Sequence, residues 1–390
     1  MTDFKDFLVP RMHAHSSSIF GEMSALATQL GAINLGQGFP DTDGSDRLKQ
    51  AAINAIQDGR GNQYPPAHGL PQLRQAIAEH QKRFYGIDLN WQTDVVVTTG
   101  ASEALQAALL ALVDVDDEVL MFEPWFDIYE VGVELARGKS VGVACDPATL
   151  RPDFDNLRKA ITNKSKILLI NSPHNPTGIV WTKAELQTAA DIAIEHNLIV
   201  ISDEAYEHLW YDSHPHIPIS TLPGMFERTV TIGSAGKSFS FTGWKVGWAT
   251  GPAKLIGAVK VVRQHLSYVS SGPFQWAITE GLGFEDSYWE NFRHELQAKR
   301  DLFTQGLADI GFGILPSEGT YFLTTDVRPL GFASADEFCR SIPQTHGVVA
   351  IAHSWLSRTP GTATGFVRWA YCKQESVLTQ ALERLQNLHP

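Results

Sequence analysis

Two lysines eight residues apart carry the clearest chemical signal in the chain. Lys237 lies in Gly233-Ser-Ala-Gly-Lys-Ser-Phe-Ser240 and Lys245 in Gly243-Trp-Lys-Val-Gly-Trp248. An amine nested among small and aromatic residues at a sheet edge is partly desolvated, which lowers its pKa and frees it for imine chemistry. In an open loop the same residue would be an ordinary solvated lysine. Upstream, Asp203-Glu-Ala-Tyr206 sets a carboxylate directly after an apolar run. Such a group must find a cation or an N–H partner, or else shift its pKa; capping the next helix is the structural alternative. In Asn171-Ser-Pro-His-Asn-Pro-Thr-Gly178, two prolines and a glycine stiffen the loop and hold the Asn175 amide where it can donate to a ligand oxygen. A purely structural Asn-Pro turn is the other reading.

Two more segments complete the set. Thr99-Gly-Ala-Ser-Glu-Ala-Leu105 opens a helix in which Ala101 and Ser102 offer backbone N–H groups and a hydroxyl, a natural phosphate site. An N-cap followed by Glu103 also accounts for it. Glu123-Pro-Trp-Phe-Asp127 places aromatic rings that either stack on a flat aromatic ligand or simply pack.

Each of these segments follows a short β-branched run: Val95–Thr98, Val119–Phe122, Ile167–Ile170, Ile199–Ser202 and Val230–Ile232, with Val246–Thr250 after the second lysine. Runs as apolar as Lys166-Ile-Leu-Leu-Ile170 suit strands buried on both faces. Strands alternating with helices predict an α/β fold, a mostly parallel sheet covered by helices on both faces, with ligands beyond the carboxyl ends of the strands. From Tyr288 to Leu307 the pattern becomes a long polar helix, followed by short strands at Tyr321–Thr324 and Phe366–Ala370 and a closing helix Glu375–Leu388. The expected division is a large domain over 45–287, with 1–44 and 288–390 forming a smaller α+β domain.

Composition limits the partners. A chain of 390 residues with net charge -12 disfavours the broad basic surface that nucleic acid requires. Cys145, Cys339 and Cys372 are widely spaced, which indicates neither a zinc site nor a disulfide framework and fits a reducing cytoplasm. No apolar run is long enough to span a bilayer, and the first residues lack the apolar core of a signal peptide. A soluble cytoplasmic protein is expected, with no metal, membrane or nucleic-acid partner.

Taken together, Ser234-Ala-Gly-Lys237, Thr242-Gly-Trp-Lys-Val-Gly247, Asn175-Pro-Thr-Gly178 and Asp203-Glu-Ala-Tyr206 resemble the class I/II aminotransferases of fold type I, which use pyridoxal 5′-phosphate (PLP). The resemblance runs from Asn34-Leu-Gly-Gln-Gly-Phe-Pro-Asp41 to Phe366-Val-Arg-Trp-Ala-Tyr-Cys-Lys373, and is nearest to the kynurenine/glutamine aminotransferases of the cysteine-conjugate β-lyase group and the bacterial methionine aminotransferases. It implies that Lys237 holds PLP as a Schiff base and shuttles a proton, and that Asp203 pairs with the ring nitrogen. Tyr206 and Asn175 would bond the ring oxygen, and Phe126 would stack on the ring. Ala101, Ser102, Ser234 and Lys245 would hold the phosphate, with Tyr64 reaching in from the partner of a homodimer. Arg368 would clamp the substrate carboxylate, with Gly38, Asn175 and Phe20 beside it.

The expected reaction is transamination between a 2-oxo acid and an apolar, aromatic or sulfur-containing amino acid such as methionine, phenylalanine, tyrosine, kynurenine or glutamine. That preference follows from Phe20, Trp125, Trp355 and Leu356, together with no recognisable second arginine for a dicarboxylate. A carbon-sulfur β-lyase on the same scaffold is the nearest rival. A non-catalytic PLP-binding regulatory module is remote, since no basic helix-turn-helix segment precedes Asn34.

Overall fold

The computed structural model describes residues 7–386 and 388, so the start of the expected 1–44 segment and part of the expected last turn lie outside them. Short strand β1 (Ile33–Asn34) comes first. The main sheet then takes β2 (Val95–Thr98), β3 (Glu118–Glu123), β4 (Lys139–Ala144), β5 (Ser165–Asn171), β6 (Ile199–Asp203), β7 (Thr229–Ser234) and β8 (Gly247–Thr250). Later come β9 (Gly313–Ile314), β10 (Phe322–Asp326), β11 (Val348–Val349), β12 (Ile351–Ala352) and β13 (Phe366–Ala370).

The main sheet runs in the order β2-β8-β7-β6-β5-β3-β4, parallel throughout except that β8 is antiparallel to both neighbours. Its residues alternate between two cores. Ile167 and Leu169 of β5 join one apolar cluster, whereas Leu168 and Ile170 join another on the opposite face. Val119 and Met121 of β3 divide from Leu120 and Phe122 in the same way. A strand with period-two side chains and no polar face is stable only if both faces are covered, and each fully buried Val, Leu or Ile contributes roughly 1.5–3 kcal/mol. Helices such as Gly100–Leu112 and Lys183–Glu195 supply that cover from opposite sides.

The exception at β8 matters for the site. The segment joining β7 to β8 is short, so β8 returns beside β7, with Gly247 opposite both Ser234 and Thr98. The amino end of β8 therefore lies at the same sheet edge as the carboxyl ends of β7 and β2. Lys245, before β8, joins Lys237, after β7, for this reason.

The second sheet has the order β12-β13-β10-β9, and β1 pairs in parallel with β11. The long helix extends from Asp286 to Ile310 and the final one from Glu375 to Arg384. Strand β4 had no counterpart in the sequence reading. Its run Lys-Ser-Val-Gly-Val-Ala is partly exposed at the sheet edge and lacks the continuous apolar character of the central strands.

Candidate active site

The strand ends converge on a cavity of about 440 Å³, within the size range of small-molecule sites. At one end lies the start of helix Gly100–Leu112, with Ala101 and Ser102 on the cavity wall. Gly247 must be bare here, since a Cβ on it would fall 2.5 Å from the Ala101 nitrogen. Lys245 adopts a left-handed backbone, φ 52°, a conformation that costs a non-glycine residue free energy and is retained where surrounding structure demands it. Its Nζ lies 3.2 Å from where a Gly100 Cβ would stand. An ammonium beside a helix N-terminus joins two positive features, and among the described residues no carboxylate pairs with Lys245. Glu103, in the first turn of that helix, instead accepts from the Thr99 backbone N–H. An anion is what this end of the cavity lacks.

Ser234 and Lys237 line the adjoining wall. Lys237 sits on the one-turn helix Ala235–Ser238, because the chain turns directly off β7. Its Nζ donates to the Tyr321 hydroxyl at 2.7 Å and to the Gly38 carbonyl at 3.3 Å. Burial, reinforced by the charges of Lys245 and Arg368 against the opposing pull of Cys372 and Asp203, lowers its pKa to about 8. A usable fraction is thus the free amine near neutrality.

Asp203 ends β6 and is 5% exposed. Its carboxylate accepts from the Tyr129 hydroxyl at 2.7 Å and the Ala205 backbone N–H at 3.1 Å. Burial nevertheless raises its pKa, so a cationic N–H in the cavity would be a favourable further partner. The Asn171 amide donates to the Asp203 carbonyl at 2.7 Å and accepts from the Asn175 backbone N–H at 2.7 Å, which ties the ends of β5 and β6 together.

Across the cavity, Arg368 on β13 is 2% exposed and lies between the rings of Phe20 and Phe322, at 4.8 and 4.2 Å. One Nη donates to Asn175 Oδ1 at 2.8 Å and the other to the Gly36 carbonyl, while Nε has no partner. Burial holds its pKa down to about 10. A buried guanidinium with a spare N–H and, among the described residues, no carboxylate within ion-pair distance is suited to an anionic ligand.

The structure thus places Lys237, Asp203, Tyr206, Ala101, Ser102, Phe126, Asn175, Ser234, Lys245, Arg368, Gly38 and Phe20 around one cavity. Tyr64 is not among them: it is 80% exposed and meets Tyr268 edge-on at 5.7 Å. The aromatic argument needs correction. Of Phe20, Trp125, Trp355 and Leu356, only Phe20 lines the cavity. Trp125 is buried in a sheet-facing core, Leu356 in the cluster around Met23, and Trp355 donates to Asp336. The apolar wall is made instead by Phe39, Leu105 and Phe322, together with Phe20 and Phe126.

Sequence reading also missed Tyr129 and Tyr321. Tyr129 lies three residues after Phe126, and that spacing, one turn of helix, was the available signal. Tyr321 reaches Lys237 from 84 residues away, across the smaller sheet, and no local pattern announces it.

A lowered-pKa amine facing an anion cradle, with a guanidinium opposite, belongs to an enzyme that handles amino acids through a phosphorylated aldehyde: a PLP-dependent transferase. The particular family follows from comparison. Residues 31–385 match the family model described as Aminotransferase class I and II, and the chain belongs to that family of PLP-dependent enzymes. A probable N-succinyldiaminopimelate aminotransferase of Mycobacterium tuberculosis is 46% identical, over 97% of this chain and 98% of that protein. The solved structure of N-succinyldiaminopimelate aminotransferase from that species superposes with a TM-score of 0.95, covering 97% of this chain and 99% of that one. The methionine aminotransferase of Escherichia coli is 37% identical, over 95% and 96% of the two chains.

Proposed function

We propose that this aminotransferase takes its amino group from an apolar, aromatic or sulfur-containing amino acid and passes it to a 2-oxo acid. The observation that carries the reading is Arg368, with its unpartnered Nε, across an aromatic-walled cavity from the Lys237 amine. Bound PLP supplies the aldehyde that captures the substrate amine and a ring that draws electrons from the α carbon. Lys237 Nζ would hold the cofactor, then, once displaced by substrate, take the α proton and return it to the cofactor's side of the bond. Asp203 would stabilise a protonated ring nitrogen, Tyr206 and Asn175 would donate to the ring oxygen, and Phe126 would cover the ring face. Ala101, Ser102, Ser234 and Lys245 would hold the phosphate. Arg368 would bind the substrate carboxylate, beside Gly38 and Phe20.

The same reading makes the molecule a homodimer in which exposed Tyr64 reaches the phosphate end of a second copy's cavity. It divides the chain at 45–287, supported by the pairing of β1 with β11, which links the two ends of the sequence. Three free, buried cysteines support a reducing compartment such as the cytoplasm. Among the described residues no helix is long and apolar enough to cross a membrane.

A second donor, N-succinyldiaminopimelate, is favoured by the 46% identity to a relative of that name. Its distal carboxylate would need a cation, and the cavity cations other than Arg368 are Lys237 and Lys245. The test is to mix PLP-loaded enzyme with each amino acid in turn and follow conversion of the cofactor absorbance to the amine form. We expect methionine or an aromatic amino acid to convert it fastest. Faster conversion by aspartate overturns that preference, and faster conversion by N-succinyldiaminopimelate establishes the second donor. Pyruvate released from a cysteine conjugate without any acceptor would identify the β-lyase instead.

A further inference from the structure

The Lys237 amine is held from behind by a group outside the cavity lining. Its Nζ lies 2.7 Å from the Tyr321 hydroxyl and 3.3 Å from the Gly38 carbonyl, and the hydroxyl itself lies 2.6 Å from the same carbonyl. The direction of each bond follows from chemistry. A carbonyl only accepts, so the single tyrosine proton goes to Gly38, and the tyrosine oxygen is left to accept from lysine. A neutral lysine amine has two N–H groups and one lone pair. When Tyr321 and Gly38 take both N–H groups, the lone pair is fixed in the remaining tetrahedral direction.

We propose that Tyr321 is a positioning residue that, with the Gly38 carbonyl, orients the free Lys237 amine so that its lone pair is presented to the substrate's α proton. The inference rests on the reading of Lys237 as the proton-transfer base.

The arrangement is built into the packing. Tyr321 is 2% exposed, and its ring stands edge-on to Tyr206 at 5.3 Å and to Phe322 at 5.0 Å. Gly38 has no room for a side chain, because a Cβ would fall 2.4 Å from the Phe322 ring and 3.0 Å from that of Tyr321. Only a bare backbone brings this carbonyl within reach of both the hydroxyl and the amine. The charged and titratable groups acting on Lys237 are Cys372, Lys245, Arg368 and Asp203, and burial outweighs them in favouring the neutral amine that the geometry requires.

Tyr321→Phe keeps the ring and removes the acceptor. We expect kcat to fall roughly 10- to 100-fold, a fraction of what positioned acid-base groups contribute, with KM within about twofold. The rate ratio between α-protonated and α-deuterated donor should rise, because proton transfer becomes the slower step. The second readout is independent of turnover. With the full chain loaded with pyridoxamine 5′-phosphate, where Lys237 is free, the pH dependence of reductive methylation at Lys237 is read by peptide mass. Loss of an acceptor that favours the ammonium should lower its apparent pKa by about half to one unit.

Unchanged kcat, isotope ratio and methylation profile overturn the proposal while leaving Lys237 as the base. Wild-type turnover in Lys237→Ala overturns both. Should Tyr321→Phe fold poorly, 3-fluorotyrosine at position 321 keeps the ring and weakens the oxygen as an acceptor. Smaller changes of the same sign are then expected, and no change in kcat or isotope ratio overturns the proposal.

Discussion

Along Asp203-Glu-Ala-Tyr-Glu-His208, Asp203 and Tyr206 line the cavity, whereas Glu204, Glu207 and His208 enter a buried polar cluster behind it. In the cluster, His80 and His208 meet through their Nε2 atoms at 2.7 Å, Gln81 reaches Glu207 at 3.3 Å, and Glu204 binds Ser202 at 2.8 Å and His216 at 2.9 Å. His208 also stacks on Trp289 at 3.8 Å. Apart from Gln81 Oε1, His216 Nδ1 and Trp289 Nε1, these groups satisfy one another. On the cavity side, Arg368 Nε is unpartnered and Lys245 has no paired carboxylate among the described residues. Both regions bury ionisable groups, so burial alone does not mark function. What marks the cavity is cationic valence left beside a volume that can hold a ligand.

His80, Glu207 and His208 do bring ligand atoms within 4.8 Å of one another. Two nitrogens on one tetrahedral ion at about 2.0–2.1 Å would stand about 3.3 Å apart, however, so the observed 2.7 Å reads as a hydrogen bond between neutral rings.

The sharpest way to break the comparison is to remove the cavity's central group. Lys237→Ala should lower transamination at least about a thousandfold while leaving the chain folded, because it deletes the reacting amine and little packing. Single-turnover absorbance and a melting curve check both halves. Turnover near the wild-type rate would mean that the amine is not the reacting group.

The two regions also differed in how readable they were. Asp203, Asn175, Lys237 and Lys245 could be placed because each follows or precedes an apolar strand, and strand ends of a doubly covered sheet share an edge. Arg368 came only through the resemblance; of the pocket aromatics named with it, Phe20 lies against the guanidinium, whereas Trp125 follows β3 as Phe126 does, yet packs into the core. Adjacent residues at a strand end point to opposite sides, and sequence does not say which one meets the ligand. The cluster passed unread. His80 and His208 join across 128 residues of chain, on a helix and a turn whose local patterns look ordinary.

On the other side of the comparison, His208→Ala should act on stability rather than on catalysis. It removes a ring stacked on Trp289 and leaves His80 without its partner in a fully buried setting. A loss of about 3 kcal/mol is expected for such a change, with kcat/KM within about threefold. Chemical unfolding and steady-state kinetics on the same preparation separate the two. A large loss of kcat/KM without a loss of stability would show that the cluster serves the reaction.

The smallest expected effect concerns pH. Burial, aided by the nearby charge of Glu204, raises the Glu207 pKa to about 8 from an ordinary 4.5. A carboxyl that binds its proton more tightly when folded stabilises the protein fully below the unfolded value and loses that contribution as pH rises through about 8. The histidines act in the opposite sense. Burial lowers His80 to about 3 and pushes His208 down as well, so their contribution is present above the ordinary 6.5 and is lost as pH falls. Between pH 6.5 and 8 the histidines finish titrating in the unfolded chain, in the wild type and in a Glu207 variant alike, whereas Glu207 adds its own pH dependence to the wild type alone. Glu207→Gln keeps a neutral amide near Gln81 and removes the titration. Across that interval the wild type should therefore lose about 1 to 2 kcal/mol more unfolding free energy than the variant. Asp203 and Lys237 titrate in both proteins and cancel in the difference. Equal pH slopes in denaturant unfolding at pH 6.5 and 8 would show that Glu207 is ionised throughout, and that the cluster is held by charge rather than by shared protons.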